Sequence, residues 1–214
     1  MPKITSAKCV SCALPLPLVT AGDPQQPPEQ SPASASTQSA TCIQCFADPL
    51  PLAWCDAYGH YRDPLERLLV ALKFRRHDFL DDALASLLER TLRERGDLAF
   101  DAVVGVPMGR HKERRRGYNQ AELLARALAR RLGIRCDMTL LARRQERATQ
   151  STLPRRERAA NVRGAFAASS RVKGKAILVI DDICTTGETL RACANALVQG
   201  GASRVCALTV AKAS

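Results

Sequence analysis

The sequence predicts an α/β fold, a parallel sheet flanked by helices, with a small cysteine-bearing module at the N-terminus. Three observations carry that prediction. From Asp101 onward, short apolar runs alternate with amphipathic helical patterns, the order that builds parallel sheets. The run Ala176–Ile180 is apolar throughout, as a strand covered on both faces is. Two CxxC pairs, Cys9 with Cys12 and Cys42 with Cys45, precede the globular pattern.

The elements follow in order. Residues 1–60 are assigned to the N-terminal module. Its stretch 13–41 is rich in Pro, Gln, Ser and Ala and cannot bury enough apolar surface to offset its ordering entropy, so a loop is expected. Residues 61–214 are assigned to the α/β domain. Asp63-Pro64 suits a helix start, and Leu65, Leu68, Leu69 and Leu72 repeat at helical spacing. A second helix is predicted from about Asp78 to Arg95, stopped by Gly96. Asp101–Pro107 predicts a buried strand closed by proline. The next helix starts near Asn119, which with Glu122 resembles a capping box, and ends at Gly133. Short strands are expected near Ile134–Cys136 and Leu140–Ala142. Residues 143–165 are strongly basic and weakly periodic, which predicts a long loop. Then come the strand Ala176–Ile180, a helix Thr186–Gln199 and a last strand Arg204–Val210.

Composition bounds the function. A hydrophobic share of 46% excludes global disorder, and no apolar run approaches the roughly 18 residues of a membrane span. Lys3 and Lys8 have no apolar segment behind them, so no signal peptide is supported and a cytoplasmic protein is expected. Nine cysteines without secretion do not suggest a disulfide framework. The net charge of +11 calls for an anionic partner, either nucleic acid or a phosphorylated small molecule. That charge is concentrated. Residues 110–163 hold 16 basic and 5 acidic side chains, and the other 160 residues hold 16 of each.

The stretch Ile177–Thr189, ILVIDDICTTGET, is the most informative. Two carboxylates, Asp181 and Asp182, stand at the carboxyl end of the strand, where open α/β sheets bind ligands. Thr185, Thr186, Gly187 and Thr189 then lead into a helix, whose backbone N–H groups can close on a phosphate. The acids suit sugar hydroxyls or a hydrated Mg²⁺. A phosphate cradle beside an acid pair fits a ribose 5-phosphate. An ordinary strand–turn–helix with two solvated acids is the plainer alternative.

Residues 177–189 resemble the phosphoribosyl-pyrophosphate (PRPP) signature of type I phosphoribosyltransferases. The chain further resembles the ComF competence family. That likeness rests on the CxxC pairs, Lys73-Phe74, Val106-Pro107, Arg116-Gly117-Tyr118-Asn119-Gln120-Ala121, Thr149-Gln150, Arg158, Asn161-Val162 and Phe166. The resemblance implies a type I phosphoribosyltransferase fold. It implies that Asp181 and Asp182 hold the ribose hydroxyls, and that Cys184, Thr185, Thr186, Gly187, Glu188 and Thr189 surround the 5-phosphate. Pro107, Met108 and Lys112 would lie along the pyrophosphate, with Arg116 a catalytic candidate beside the acids. Arg147, Thr149, Gln150, Arg158 and Asn161 would belong to a mobile loop closing over the site and excluding water. The implied setting is competence, the uptake or processing of single-stranded DNA, with competence DNA-processing proteins as partners.

The segment Met108–Arg116 is expected to be a loop carrying Arg110, Lys112, Arg114, Arg115 and Arg116. Arginine suits a developing pyrophosphate because it forks onto oxygens and keeps its charge. A solvated charged face and a nucleic-acid surface remain the alternatives. His111 is the only histidine in a candidate site loop, and no clear general base is present.

Each CxxC turn presents two thiolates to one tetrahedral metal, so Cys9, Cys12, Cys42 and Cys45 predict a structural, zinc-ribbon-like Zn²⁺ site. The gap of 29 residues between Cys12 and Cys42 exceeds the usual spacing, but loop closure costs grow slowly with length. Cys55 is a spare fifth cysteine. Cys136, Cys184, Cys193 and Cys206 read as small buried residues. Three functions compete: a PRPP-dependent transferase with Mg²⁺, a non-catalytic DNA-binding or adaptor protein, and a PRPP-sensing regulator.

Overall fold

A computed structural model describes Cys9 and residues 49–74, 79–144 and 164–213. Four parallel strands form the main sheet in the order β1-β6-β5-β2. They are β1 (Trp54–His60), β2 (Ala102–Gly105), β5 (Ala176–Cys184) and β6 (Arg204–Lys212). A two-stranded antiparallel sheet joins β3 (Leu141–Arg143) to β4 (Phe166–Ala168). The helices are α1 (Leu65–Phe74), α2 (Leu80–Arg95), α3 (Arg110–Arg116), α4 (Gln120–Leu132) and α5 (Glu188–Gln199).

The central strand shows why both faces must be covered. On β5, Leu178 and Ile180 join a core with Leu69 of α1, Leu88 of α2 and Leu128 of α4. Ile177 and Val179 join a second core with Leu141, Phe166 and Leu197 of α5. Successive strand residues point to opposite faces, so an uninterrupted apolar run feeds two cores. Each fully buried leucine contributes about 1.5–3 kcal/mol relative to exposure.

Several expectations shift. Trp54–His60 falls in the stretch assigned to the N-terminal module, but it pairs with β6 from Trp54↔Cys206 to His60↔Lys212 and belongs to the sheet. Cys55 is therefore a buried strand residue. Strand β5 continues through the acid pair to Cys184, because β6 pairs with it that far. Helix α5 starts at Glu188, two residues later than predicted, since Gly187 takes a left-handed φ of 83°. The basic segment after β2 is a helix rather than a loop, ended by Gly117 at φ 81°. Leu141–Arg143 lies outside the parallel sheet, and Ile134–Cys136 supplies a single bridge, Val103↔Cys136. Cys184, Cys193 and Cys206 are buried as expected, whereas Cys136 is half-buried. Among the described residues no helix is long and apolar enough to cross a membrane.

Asn119 caps α4, but not as a capping box. Its side-chain oxygen accepts from the Ala121 N–H at 3.1 Å, and its amide donates to the Val106 carbonyl at 3.0 Å. Glu122 instead pairs with Arg126 at 2.7 Å. Asn119 thus ties the end of β2 to the start of α4. Asn119→Ala removes a cap worth ~1 kcal/mol and leaves a buried carbonyl without its donor. A loss of about 2 kcal/mol in urea unfolding is expected.

Candidate functional site

The site lies at the carboxyl edge of the sheet, where β5 and β2 end. Asp181 and Asp182 are half-buried near the carboxyl end of β5. The Asp182 N–H donates to Asp181 Oδ1, and the Ile183 N–H to Asp182 Oδ1, both at 2.9 Å. These local bonds orient the carboxylates. Lys73, near the end of α1, reaches Asp182 Oδ2 with Nζ at 3.2 Å. Burial, then the neighbouring Asp182 charge, push the Asp181 carboxyl well above the usual carboxylate range.

That shift has a sign. Folded Asp181 keeps its proton at pH values where the unfolded chain has lost it. The folded state then binds more protons, so stability falls as pH rises from the ordinary 3.8 through the raised value. Asp181→Asn removes this penalty. The variant's urea midpoint is expected to fall less than that of the wild type as pH rises above the ordinary 3.8. An unchanged slope would contradict the assignment.

The turn after β5 carries the phosphate-binding candidates. Thr185 and Thr186 are exposed, and Gly187 is buried at the start of α5. Lys212, only 4% exposed, lies behind this turn. Its Nζ stands 3.5 Å from Cys184 Sγ and donates to the Thr185 carbonyl. A buried ammonium therefore backs the Thr185–Gly187 turn. Thr189 is exposed in the first turn of α5. The Glu188 carboxylate is 3.8 Å from Arg191 Nε.

Beyond β2, Pro107 and Met108 lead into α3. A cleft of about 520 Å³ opens there, lined by Met108, Arg110, His111, Lys112, Arg143 and Arg144 among others. Arg143 also stacks over Phe166 at 5.6 Å. The arginines of α2 and α4 other than Arg130 have acids, among them Arg90 with Glu94, Arg93 with Glu89 and Arg131 with Asp82. Among the described residues, Arg110, Lys112, Arg114 and Arg115 have no such carboxylate.

The structure thus brings together Asp181, Asp182, Cys184–Thr189 and Lys73 on one stretch of edge, and Met108 with Lys112 in the cleft. Arg116 is not a cleft-lining residue. It lies over Phe74, with its guanidinium carbon 5.9 Å from the ring centre. Arg147, Thr149, Gln150, Arg158 and Asn161 lie outside the described residues, as do Cys12, Cys42 and Cys45; Cys9 is buried. Two site contacts escape sequence reasoning. Lys73 and Asp182 are 109 positions apart, and nothing local marks Lys212 as buried.

Two hard oxygen donors at the strand end match the donor preference of Mg²⁺ or ribose hydroxyls. Lys73 meets Asp182 Oδ2 and the Oδ1 atoms of both acids accept local N–H bonds, so a ligand would share these oxygens through their second lone pairs.

A model of the phosphoribosyl transferase domain matches residues 77–214. The DNA utilization protein YhgH of Salmonella typhimurium is 34% identical over 175 residues, covering 80% of this chain and 77% of the relative. Competence protein F of Haemophilus influenzae is 33% identical over 139 residues, covering 62% and 61%. Among solved structures, the glutamine PRPP amidotransferase of B. subtilis aligns with a TM-score of 0.45 at 20% identity. That alignment covers 66% of this chain and 30% of that one.

Proposed function

The chain belongs to the phosphoribosyl transferase domain family and to its ComF group, and from that premise we propose that it binds PRPP with Mg²⁺ at the carboxyl edge of the sheet. The observation that carries this reading is the continuous arrangement of acid pair, Thr185–Gly187 turn and α5 N-terminus on one strand end. Asp181 and Asp182 accept from the ribose 2′- and 3′-hydroxyls. The Thr185–Thr189 backbone, with the α5 dipole behind it, holds the 5-phosphate. Arg110 and Lys112 in the cleft neutralise the pyrophosphate. Bound Mg²⁺ supplies charge neutralisation of the same pyrophosphate.

The chemistry would be pentosyl transfer. A nucleophilic nitrogen bonds to ribose C1 as the C1–O bond to pyrophosphate breaks, and the leaving group takes that electron pair. Electrostatic preorganisation lowers the barrier without a strong general base. Calorimetric titration with PRPP and Mg²⁺ tests the reading. Micromolar binding supports it, and no binding by the wild type overturns it. Pyrophosphate release then separates a catalyst from a PRPP sensor.

A second reading concerns DNA. The unpaired cations of α3 exceed what one pyrophosphate needs, and the relatives' names refer to DNA utilization and competence. A cytoplasmic role in handling incoming single-stranded DNA, as an enzyme or as an adaptor beside other competence proteins, fits both. Counterion release predicts a steep fall of affinity with salt, and a flat dependence removes this reading.

Zinc remains part of the proposal for the N-terminal module. The full chain is expected to carry about one Zn²⁺, and chelation is expected to lower its melting temperature. Metal analysis showing none, with an unchanged melt, contradicts the four-cysteine assignment.

A further inference from the structure

We propose that the Tyr118 hydroxyl is a positioning group of the proposed PRPP site, setting the place of Lys73 and, through it, the Asp182 carboxylate. The inference deepens the PRPP reading and rests on it.

The acid pair is oriented largely by its own strand. Asp181 Oδ1 and Asp182 Oδ1 each accept from the next backbone N–H at 2.9 Å. Asp182 Oδ2 is met by a group from outside β5. That group is Lys73, whose Nζ stands 3.2 Å away, with both side chains half-buried. Among the described residues it is the one ion pair that either acid makes. The aim of the Asp182 carboxylate therefore depends on where α1 puts Lys73. Hydrogen bonds weaken steeply with misalignment, so a ribose hydroxyl on Asp182 feels that placement.

A long lysine side chain loses entropy when it is held in one contact, so its backbone has to be well placed. Lys73 lies in the last turn of α1, where helix carbonyls lack intrahelical donors. Tyr118 supplies a donor there. Its hydroxyl donates to the Leu72 carbonyl at 2.6 Å, one residue before Lys73. Leu72 is buried, and water replaces a lost donor poorly at such a place.

The tyrosine's own backbone is held on both sides. Gly117 ends α3, and its N–H donates to the Glu113 carbonyl at 2.7 Å. Asn119 caps α4 and donates to the Val106 carbonyl beyond β2. Strand β2 in turn pairs with β5, with Gly105 opposite Ile180, one residue before the acid pair. A closed circuit results. It runs from the end of β2 through Asn119, Tyr118, Leu72 and Lys73 to Asp182 on β5. The Tyr118 hydroxyl is the link that joins α1 to it, and a phenylalanine would keep the ring and open the circuit.

The test is a double-mutant cycle on PRPP affinity, measured by calorimetry with Mg²⁺ on the full chain. Tyr118→Phe is expected to weaken PRPP binding about 3- to 10-fold, the worth of one hydrogen bond. Lys73→Met is expected to weaken it about 10-fold or more, since it removes a charged partner of Asp182. In the Lys73→Met background, Tyr118→Phe should cost less than about 2-fold, because the hydroxyl then has no cation to place. A merely structural tyrosine gives the opposite pattern, in which the two losses multiply, and that result overturns the proposal. Unchanged affinity in either single variant overturns it as well. Melting curves run alongside show that each variant measured is folded. Absence of PRPP binding by the wild type removes the PRPP reading and this proposal with it. Wild-type binding with multiplied or missing losses removes the proposal alone.

Discussion

The double substitution Asp181→Asn, Asp182→Asn is expected to lose PRPP binding by ~30-fold or more while leaving the protein folded. Asp182, paired with the Lys73 ammonium, is an ionic acceptor for a ribose hydroxyl, a bond worth ~1.5–3 kcal/mol, whereas Asp181, pushed toward its protonated form, makes a neutral bond worth ~0.5–1.5 kcal/mol. The two amount to ~2–4.5 kcal/mol, and each 1.4 kcal/mol is tenfold. The amides keep the shape and can still accept the local N–H bonds now made by Asp181 and Asp182. They cannot balance Lys73, which pairs with Asp182 at 3.2 Å, so the ammonium is left facing the ribose position. Calorimetry with PRPP and Mg²⁺ is the measurement. Equal affinity in wild type and double variant would remove the acid pair from the site. Single variants then rank the two: Asp182→Asn should disturb Lys73 as well as the ligand, and Asp181→Asn should mainly affect the ligand.

Gly105→Ala is expected to be the most destabilising methyl group that can be added in β2. A Cβ at this position lies 2.5 Å from the Ala121 carbonyl oxygen, 2.6 Å from its carbon and 2.8 Å from the Glu122 nitrogen. All three are backbone atoms, so no side-chain rotation relieves the clash. The strand and α4 must separate, which costs about 3 kcal/mol at the upper end of overpacking effects. A fall in melting temperature of ~6–12 °C follows for a domain of this size. The Asn119 bond to Val106 would break with the same displacement, shifting the turn into the cleft. Gly109→Ala is the control. Its Cβ would meet only the Arg143 side chain, at 3.7 Å, and should change stability little. Similar melting curves for both variants would show that the close approach is not maintained in solution.

Much of the fold was legible because its signals are local. The apolar run of β5 announced a strand covered on both faces, and helical spacing of leucines announced α1, α2 and α4. The acid pair and the Thr-Thr-Gly turn were legible because they occupy one continuous stretch. The helical state of α3 was not, since seven polar residues with no buried side chain carry no periodicity. Strand β4 and the pairing of β3 were missed for the same reason: three residues are too few for a period to show. Trp54–His60 was assigned to the N-terminal module because the cysteine count dominated that region. Its membership of the sheet depends on β6, 152 positions away at Cys206.

The sequence alone determined the parallel α/β class, the strand-end acids, the Thr-Thr-Gly turn and the concentration of charge in residues 110–163. Each is a property of composition or of neighbours within about a dozen positions. Tertiary structure alone decided that Lys73 meets Asp182, that Lys212 backs the turn, and that Arg116 stacks on Phe74 instead of lining the cleft. These contacts join α1, α3, β5 and β6 at one edge of the sheet. They follow from strand order and helix docking, and the opening excess of charge thereby divides. The cations of the cleft stand apart from Arg116, whose guanidinium belongs to an aromatic surface.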